Sequence, residues 1–104
     1  MSDFELKRLD DRCFELHGAM SFETADRILR RSEKLFGRYE DVQVDCSGVN
    51  DADSAGLALL LEWISQAYRQ GGQIHFSGLP KSIVAIARTT EGVKRVVSVF
   101  EYLD

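Results

Sequence analysis

The fold is decided by the stretch Val44-Asp45-Cys46-Ser47-Gly48-Val49-Asn50-Asp51-Ala52-Asp53-Ser54-Ala55-Gly56-Leu57. Its first residues complete the β-type apolar run Val42–Cys46, and several turn formers follow. A helix then opens at a hydroxyl residue. The first N–H groups of a helix lack internal partners and carry a partial positive charge, so Asp53 or Ser54 can cap this helix. The stretch therefore predicts a strand, a polar turn and a helix in succession.

Upstream of this stretch, the sequence predicts a pair of strands and one amphipathic helix. Short apolar alternations lie on both sides of the polar segment 10–12, which predicts two strands joined by a turn. The period then changes to three and four, and Ser21 is the expected N-cap of a helix that ends at Gly37. The predicted inner face of that helix consists of Phe22, Ala25, Ile28, Leu29, Ser32 and Phe36.

Downstream, the second helix is expected to run from Ser54 to Gln70, followed by a strand over Gln73–Ser77. Pro80 suits the first turn of a third helix, whereas residues 93–100 fit a helix or a strand equally well. The order β-β-α-β-α-β-α predicts an α/β fold. We expect a mixed sheet of about four strands, covered by helices mainly on one face, in a single domain over residues 1–104.

The composition narrows the class of function. The formal net charge is −4 and the lysines and arginines form no stripe, which disfavours a nucleic-acid partner. No apolar run is long enough for a membrane span, and the first residues do not resemble a secretory signal, so we expect a cytoplasmic protein. Cys13 and Cys46 lack the C-x-x-C spacing of a zinc site and are expected to be free core thiols. No metal or cofactor is predicted.

An enzyme is not expected. The chain contains neither the glycine-lysine loop that holds nucleotide phosphates nor the G-x-S-x-G turn of serine hydrolases. His17 and His75 stand alone at strand positions, without a nearby serine or cysteine in the sequence that would serve as a nucleophile. Acidic residues around the Asp53 turn are oxygen donors of the kind Mg²⁺ prefers, but solvated turn carboxylates are the more ordinary interpretation.

The second helix carries apolar residues on two faces. At 100° per residue, one face is expected to cover the sheet and consists of Leu57, Leu60, Leu61, Ile64 and Tyr68. Leu59 and Trp63 are predicted on the opposite face, where a partner protein or the tail residues Phe100, Tyr102 and Leu103 would cover them. Since tryptophan is enriched among residues that dominate binding energy, Leu59 and Trp63 are candidate partner anchors.

Ser54 has two interpretations. As an N-cap it would stabilise the helix by about 1 kcal/mol. As a phosphorylation site it would bring roughly −1.5 to −2 charges to a helix N-terminus that already holds Asp51 and Asp53. The helix would tolerate that anion, whereas a partner packed on the same surface would not. The second interpretation describes a binding switch.

The stretch around Ser54 resembles the central signature of STAS domains, the family of anti-sigma-factor antagonists. That signature has a strand ending in Asp, then Leu or Phe, then Ser, followed by a short loop and D-[ST]-x-G-[LI] at a helix start. Cys46 stands where the family has Leu or Phe. The resemblance implies a non-enzymatic binding module in which Ser54 is central to the partner contact. We therefore expect the partner-binding residues to be Asp53, Ser54, Ala55 and Gly56, together with the candidate anchors Leu59 and Trp63 from the helix pattern.

Two branches of the family fit this sequence. The run Gly56–Trp63, with Gly71-Gly72 after it, is most similar to the MlaB-like branch, which binds the ATPase of an inner-membrane ABC system for phospholipids. That branch implies a peripheral position at the inner membrane through the partner. In the alternative branch, anti-sigma-factor antagonists carry a phosphorylatable residue at the position of Ser54 and bind an anti-sigma factor that is a serine kinase.

Overall fold

The computed structural model describes residues 3–89, with side chains described to residue 86. The elements are β1 (Phe4–Arg8), β2 (Cys13–Met20), α1 (Ala25–Leu35), β3 (Val42–Ala52), α2 (Ser54–Arg69), β4 (Ile74–Ser77) and α3 (Lys81–Thr89). This is the predicted order of strands and helices. The undecided segment 93–100 and the tail residues Phe100, Tyr102 and Leu103 lie outside the described part of the chain. Within that part, no helix is long and apolar enough to cross a bilayer.

The four strands form one mixed sheet in the order β1-β2-β3-β4. Strands β1 and β2 pair antiparallel, and the pairs β2–β3 and β3–β4 are parallel. The predicted fold class is therefore confirmed. A tight turn suffices between β1 and β2, whereas each parallel pair needs a helical crossover, which α1 and α2 provide.

The helices cover one face of the sheet. In β2, β3 and β4 the side chains alternate between buried and more exposed positions, as expected for a sheet with a single covered face. Phe14, Val44 and Phe76 are neighbours across three strands and are all buried. The residues between them, such as Glu15 and Gln43, lie on the face that the described helices leave open.

Strand β3 is longer than the sequence pattern predicts. It continues past Cys46 to Ala52, because the main chain of this polar segment pairs with the end of β2, up to the pair Met20–Ala52. Two register shifts, between Glu15 and His17 and between Gly18 and Ala19, accommodate the extension. The consequence is that the first turn of α2 lies beside the end of β2.

Helix α1 begins later than predicted, and Ser21 is not its N-cap. The residue before the helix is Thr24, whose hydroxyl accepts the N–H of Ser21 at 2.9 Å and donates to the carbonyl of Ala19 at 2.9 Å. Residues 21–24 therefore form a turn outside the helical periodicity. Phe22 leaves the predicted inner face, and 82% of its surface is exposed.

The predicted orientation of α2 is right for Leu57 and Leu60, which are buried, and wrong for Leu59, Trp63 and Tyr68. Leu59 and Trp63 are 3% and 0% exposed, whereas Tyr68, expected in the core, is 85% exposed. Trp63 is held inside because its indole N–H donates to the Ser32 hydroxyl at 2.8 Å. Its ring packs against Phe36 and Phe76, with centroids 5.5 and 5.9 Å away. Leu59 and Trp63 are therefore core residues and not surface anchors.

Candidate functional site

Asp53 connects the start of α2 to the turn that precedes α1. It is the N-cap of α2 in an extended conformation, and its Oδ1 accepts the N–H of Ala55 at 2.8 Å. Its other carboxylate oxygen, Oδ2, accepts the backbone N–H of Phe22 at 3.1 Å. One side chain thus fixes the first turn of α2 and the position of Phe22 beside it. From the sequence, either Asp53 or Ser54 could be the N-cap, and the structure shows that it is Asp53.

Gly56 allows α2 to approach the end of β2. A Cβ atom at this position would lie 2.5 Å from the carbonyl oxygen of Met20, 3.0 Å from its Cγ and 3.2 Å from Cδ1 of Ile83. The backbone carbonyl cannot move away as a flexible side chain would, so any larger residue would push the helix start outward. Gly56 is buried and cannot itself contact a partner through a side chain.

Ser54 is the first residue of α2 and is exposed. Because Asp53 supplies the cap, the Ser54 hydroxyl is not needed there, and it makes no hydrogen bond with any residue of the described chain. Asp51 is also exposed, and Ala55 is half-buried. Of the four turn residues predicted to bind a partner, Ser54 is accessible, Ala55 and Asp53 are partly accessible, and Gly56 acts through the backbone.

Phe22 is a surface residue of this site that the sequence pattern did not reveal. Among the described side chains, large hydrophobic residues are exposed at Leu9, Phe22 and Tyr68. Phe22 is placed next to Ser54 by the bond between its N–H and Asp53. The presence of Thr24, a residue type that often precedes helices, was the sequence signal that would have moved the helix start beyond Phe22.

The outward face of α2 continues from Ser54 along the helix. Its members follow a spacing of four and three and are exposed or half-buried: Ser54, Ala58, Leu61, Ser65 and Tyr68. This row replaces Leu59 and Trp63 as the accessible face. The side chains of this row are small near Ser54, and the row ends at the aromatic ring of Tyr68. Together with Phe22 it forms what we call the α2 surface: Phe22, Ser54, Ala58, Leu61, Ser65 and Tyr68.

The acidic residues near the site do not assemble into a metal centre. In residues 3–89, no group of three His, Cys, Asp or Glu side chains is close enough to hold a metal ion. The pKa of Asp45 is lowered because Ser47 donates to it from its side chain and from its N–H, the latter at 2.9 Å. Asp45 therefore holds the backbone of β3 near Ser47.

Comparison with known proteins agrees with this fold. The family model described as "Mlab, STAS domain" matches residues 7–97, and the chain therefore belongs to this STAS family. Among solved structures, the chain is similar to the anti-sigma factor antagonist SpoIIAA in its unphosphorylated form. The TM-score is 0.61 at 11% identity, over 84% of this chain and 83% of that one, so this likeness concerns the fold. No curated protein matches the chain. STAS domains act in protein–protein interactions.

Proposed function

We propose that this STAS domain is the regulatory or stabilising subunit of an ABC transporter for phospholipids and that it binds the transporter's ATPase through the α2 surface. It would then be cytoplasmic, at the inner membrane through that partner, and would carry out no chemistry itself. The match to the Mlab family model and the similarity of Gly56–Trp63 to that branch favour this partner class.

The observation that carries the proposal is the division of roles between Asp53 and Ser54. Asp53 stabilises the helix start, and Ser54 is left exposed with a hydroxyl free to donate to and accept from a partner. Phe22 adds an exposed aromatic ring, and its backbone N–H donates to the same carboxylate. Aromatic residues, phenylalanine among them, are enriched in protein–protein interfaces relative to the rest of the surface.

A second candidate function is that of an anti-sigma-factor antagonist switched at Ser54. It is favoured by the exposure of this hydroxyl at a helix N-terminus and by the likeness of the fold to SpoIIAA. A phosphate there would be stabilised by the helix N-terminus and repelled by Asp51 and Asp53, so it would alter the surface without unfolding the domain.

The two functions can be separated by identifying the natural partner. The tagged chain would be purified from detergent-treated native cells, and the bound proteins and the phosphorylation state of Ser54 would be determined by mass spectrometry. Ser54→Glu is the test variant. Ser77→Glu is the matched control, because Ser77 is an exposed serine of β4 and lies outside the α2 surface.

Recovery of an ABC ATPase with its permease, lost in Ser54→Glu and kept in Ser77→Glu, is the expected result. Recovery of a small serine kinase, with phosphate on Ser54, would contradict the transporter function and support the second candidate. If both glutamate variants retain the ATPase equally, the ATPase binds somewhere other than the α2 surface.

A further inference from the structure

The outer edge of β1 has backbone groups that no described strand pairs. The N–H of Ala19 donates to the carbonyl of Asp3 at 2.9 Å, and the N–H of Leu9 donates to that of Cys13 at 2.8 Å. In an antiparallel pair the bonded residues alternate, so positions 3, 5, 7 and 9 of the chain bond to β2. The N–H and C=O groups of Phe4, Leu6 and Arg8 therefore point away from the sheet.

A groove follows this edge. Its volume is ≈ 580 Å³, and it is lined by the five residues of β1 together with Arg31 and Leu35 of α1. Arg8 is fixed at one end, since its guanidinium donates to the carbonyl of Leu35 at 2.9 Å and lies 5.8 Å from the ring centroid of Phe14. The groove thus combines the outward backbone groups of β1 with apolar side chains and with the guanidinium of Arg8, which is held in place by its hydrogen bond.

The charge of the groove is opposite to that of the whole chain. Lys7, Arg8 and Arg31 line it against a single carboxylate, Glu5, whereas the chain carries a net charge of −4. Arg31 and Lys7 form no ion pair with another residue of the described segment. Charged residues on an edge strand often protect that edge from pairing with other chains. Arg31 is exposed and lies on α1 and not on β1, so this protective role does not explain its charge.

We propose that this groove binds an extended acidic segment of a partner polypeptide, which adds a fifth strand to the sheet beside β1. Main-chain hydrogen bonds to Phe4, Leu6 and Arg8 would provide affinity, and a carboxylate facing α1 would pair with Arg31. This binding site is separate from the α2 surface and goes beyond the function proposed above.

Two other occupants fit the groove less well. An anionic lipid headgroup offers acceptors to the cations, but it cannot supply the row of donors and acceptors, spaced as in a strand, that the outward backbone groups of β1 require. A second copy of this chain could pair its own β1, with Glu5 opposite Lys7 of the other copy, but it would place the Arg31 and Lys34 cations of both copies on the same side of one sheet. An acidic segment has the opposite charge to these cations, so its binding would not bring like charges together.

The test is an NMR titration of the full chain, labelled with ¹⁵N, with the capped peptide acetyl-(Glu-Val)₄-amide. This peptide is acidic and prefers an extended conformation. Binding is expected to shift the amide signals of Phe4, Leu6 and Arg8 and to slow their hydrogen exchange, while those of Glu5 and Lys7 change little. Arg31→Glu should weaken the affinity by about tenfold or more. The matched control Arg38→Glu changes an exposed arginine outside the groove and should stay within about twofold of the unmodified chain.

The proposal is overturned if millimolar peptide leaves the three outward amides unchanged, or if both arginine variants weaken binding equally. It is also overturned if the chain pairs with itself through β1 in sedimentation experiments, or if vesicles of phosphatidylglycerol shift these amides and the peptide does not. The lysine analogue acetyl-(Lys-Val)₄-amide is expected not to bind, and equal binding of that peptide would contradict the charge argument.

Discussion

Replacement of Trp63 tests whether α2 turns this side chain toward the core. The side chain is 0% exposed and contacts the rings of Phe36 and Phe76. Truncation of a buried tryptophan to alanine lowers the free energy of unfolding by about 3–5 kcal/mol. A domain of this length is stabilised by about 5–15 kcal/mol in total. Trp63→Ala should therefore remove a large part of the stability of the domain.

Two further variants separate the hydrogen bond of Trp63 from its packing. Ser32→Ala leaves the buried indole N–H without its acceptor and should lower the free energy of unfolding by about 1–3 kcal/mol. Trp63→Phe removes the donor and part of the volume, and a loss of about 1–2 kcal/mol is expected. In the double variant the losses should be less than additive, because both single changes break the same bond.

The measurement is urea denaturation followed by far-UV circular dichroism, which does not depend on the tryptophan itself. The expected order of destabilisation has Trp63→Ala far above the two milder variants. A loss below about 1 kcal/mol for Trp63→Ala, with binding of the partner abolished, would contradict the buried position of Trp63. It would restore Trp63 to the surface that the sequence pattern suggested.

Changes at three further residues test the site and the core. Asp53→Ala should lower the free energy of unfolding by about 1–2 kcal/mol, because it removes the helix cap and the bond to Phe22. Asp53→Asn should lower the free energy of unfolding by less. Urea denaturation would measure both losses. Unchanged stability in Asp53→Ala would contradict the cap. Gly56→Ala should destabilise by about 1–3 kcal/mol through contact with the Met20 carbonyl, although alanine favours helices, and a gain in stability would contradict the close approach. Burial, with smaller contributions from nearby carboxylates, raises the pKa of Tyr39 from 10.0 to about 12. The unfolded chain releases this proton first, so stability should fall as the pH rises from about 10 to 12, and Tyr39→Phe should flatten this part of the pH profile. An identical profile in both proteins would refute the assignment.

The sequence predicted the order of elements because each change of period, from two to between three and four, is visible in the chain. It could not predict the length of β3. Most of residues 47–52 are turn formers by type, and the segment becomes a strand because its main chain pairs with the end of β2. Backbone pairing of this kind depends on the neighbouring strand and leaves no trace in side-chain periodicity.

The orientation of α2 was not predictable from periodicity for a related reason. Leucine, isoleucine and tryptophan surround most of this helix, so several rotations about its axis bury similar apolar area. The choice is made by contacts with other elements, above all the bond from Trp63 to Ser32 on α1. The turn residues at Asp53–Gly56 were identified because their types carry local chemistry, namely capping and close packing.

Phe22 shows how an error in a helix boundary hides a surface residue. Placed in a helix starting after Ser21, it falls on the inner face. With the start moved to Ala25, it lies in a turn that projects it into solvent. Because the bond from its N–H to Asp53 is formed across the fold, the proximity of Phe22 to Ser54 was not available from the sequence.

The proposed binding of the ATPase to the α2 surface can be tested by the affinity of the purified ATPase for Phe22→Ala. Leu9→Ala is the matched control, since Leu9 is an exposed apolar residue, 56% exposed, of the turn between β1 and β2. We expect an affinity loss of about tenfold or more for Phe22→Ala, with unchanged stability, and a loss of less than about twofold for Leu9→Ala. Equal affinities for the two variants would contradict it.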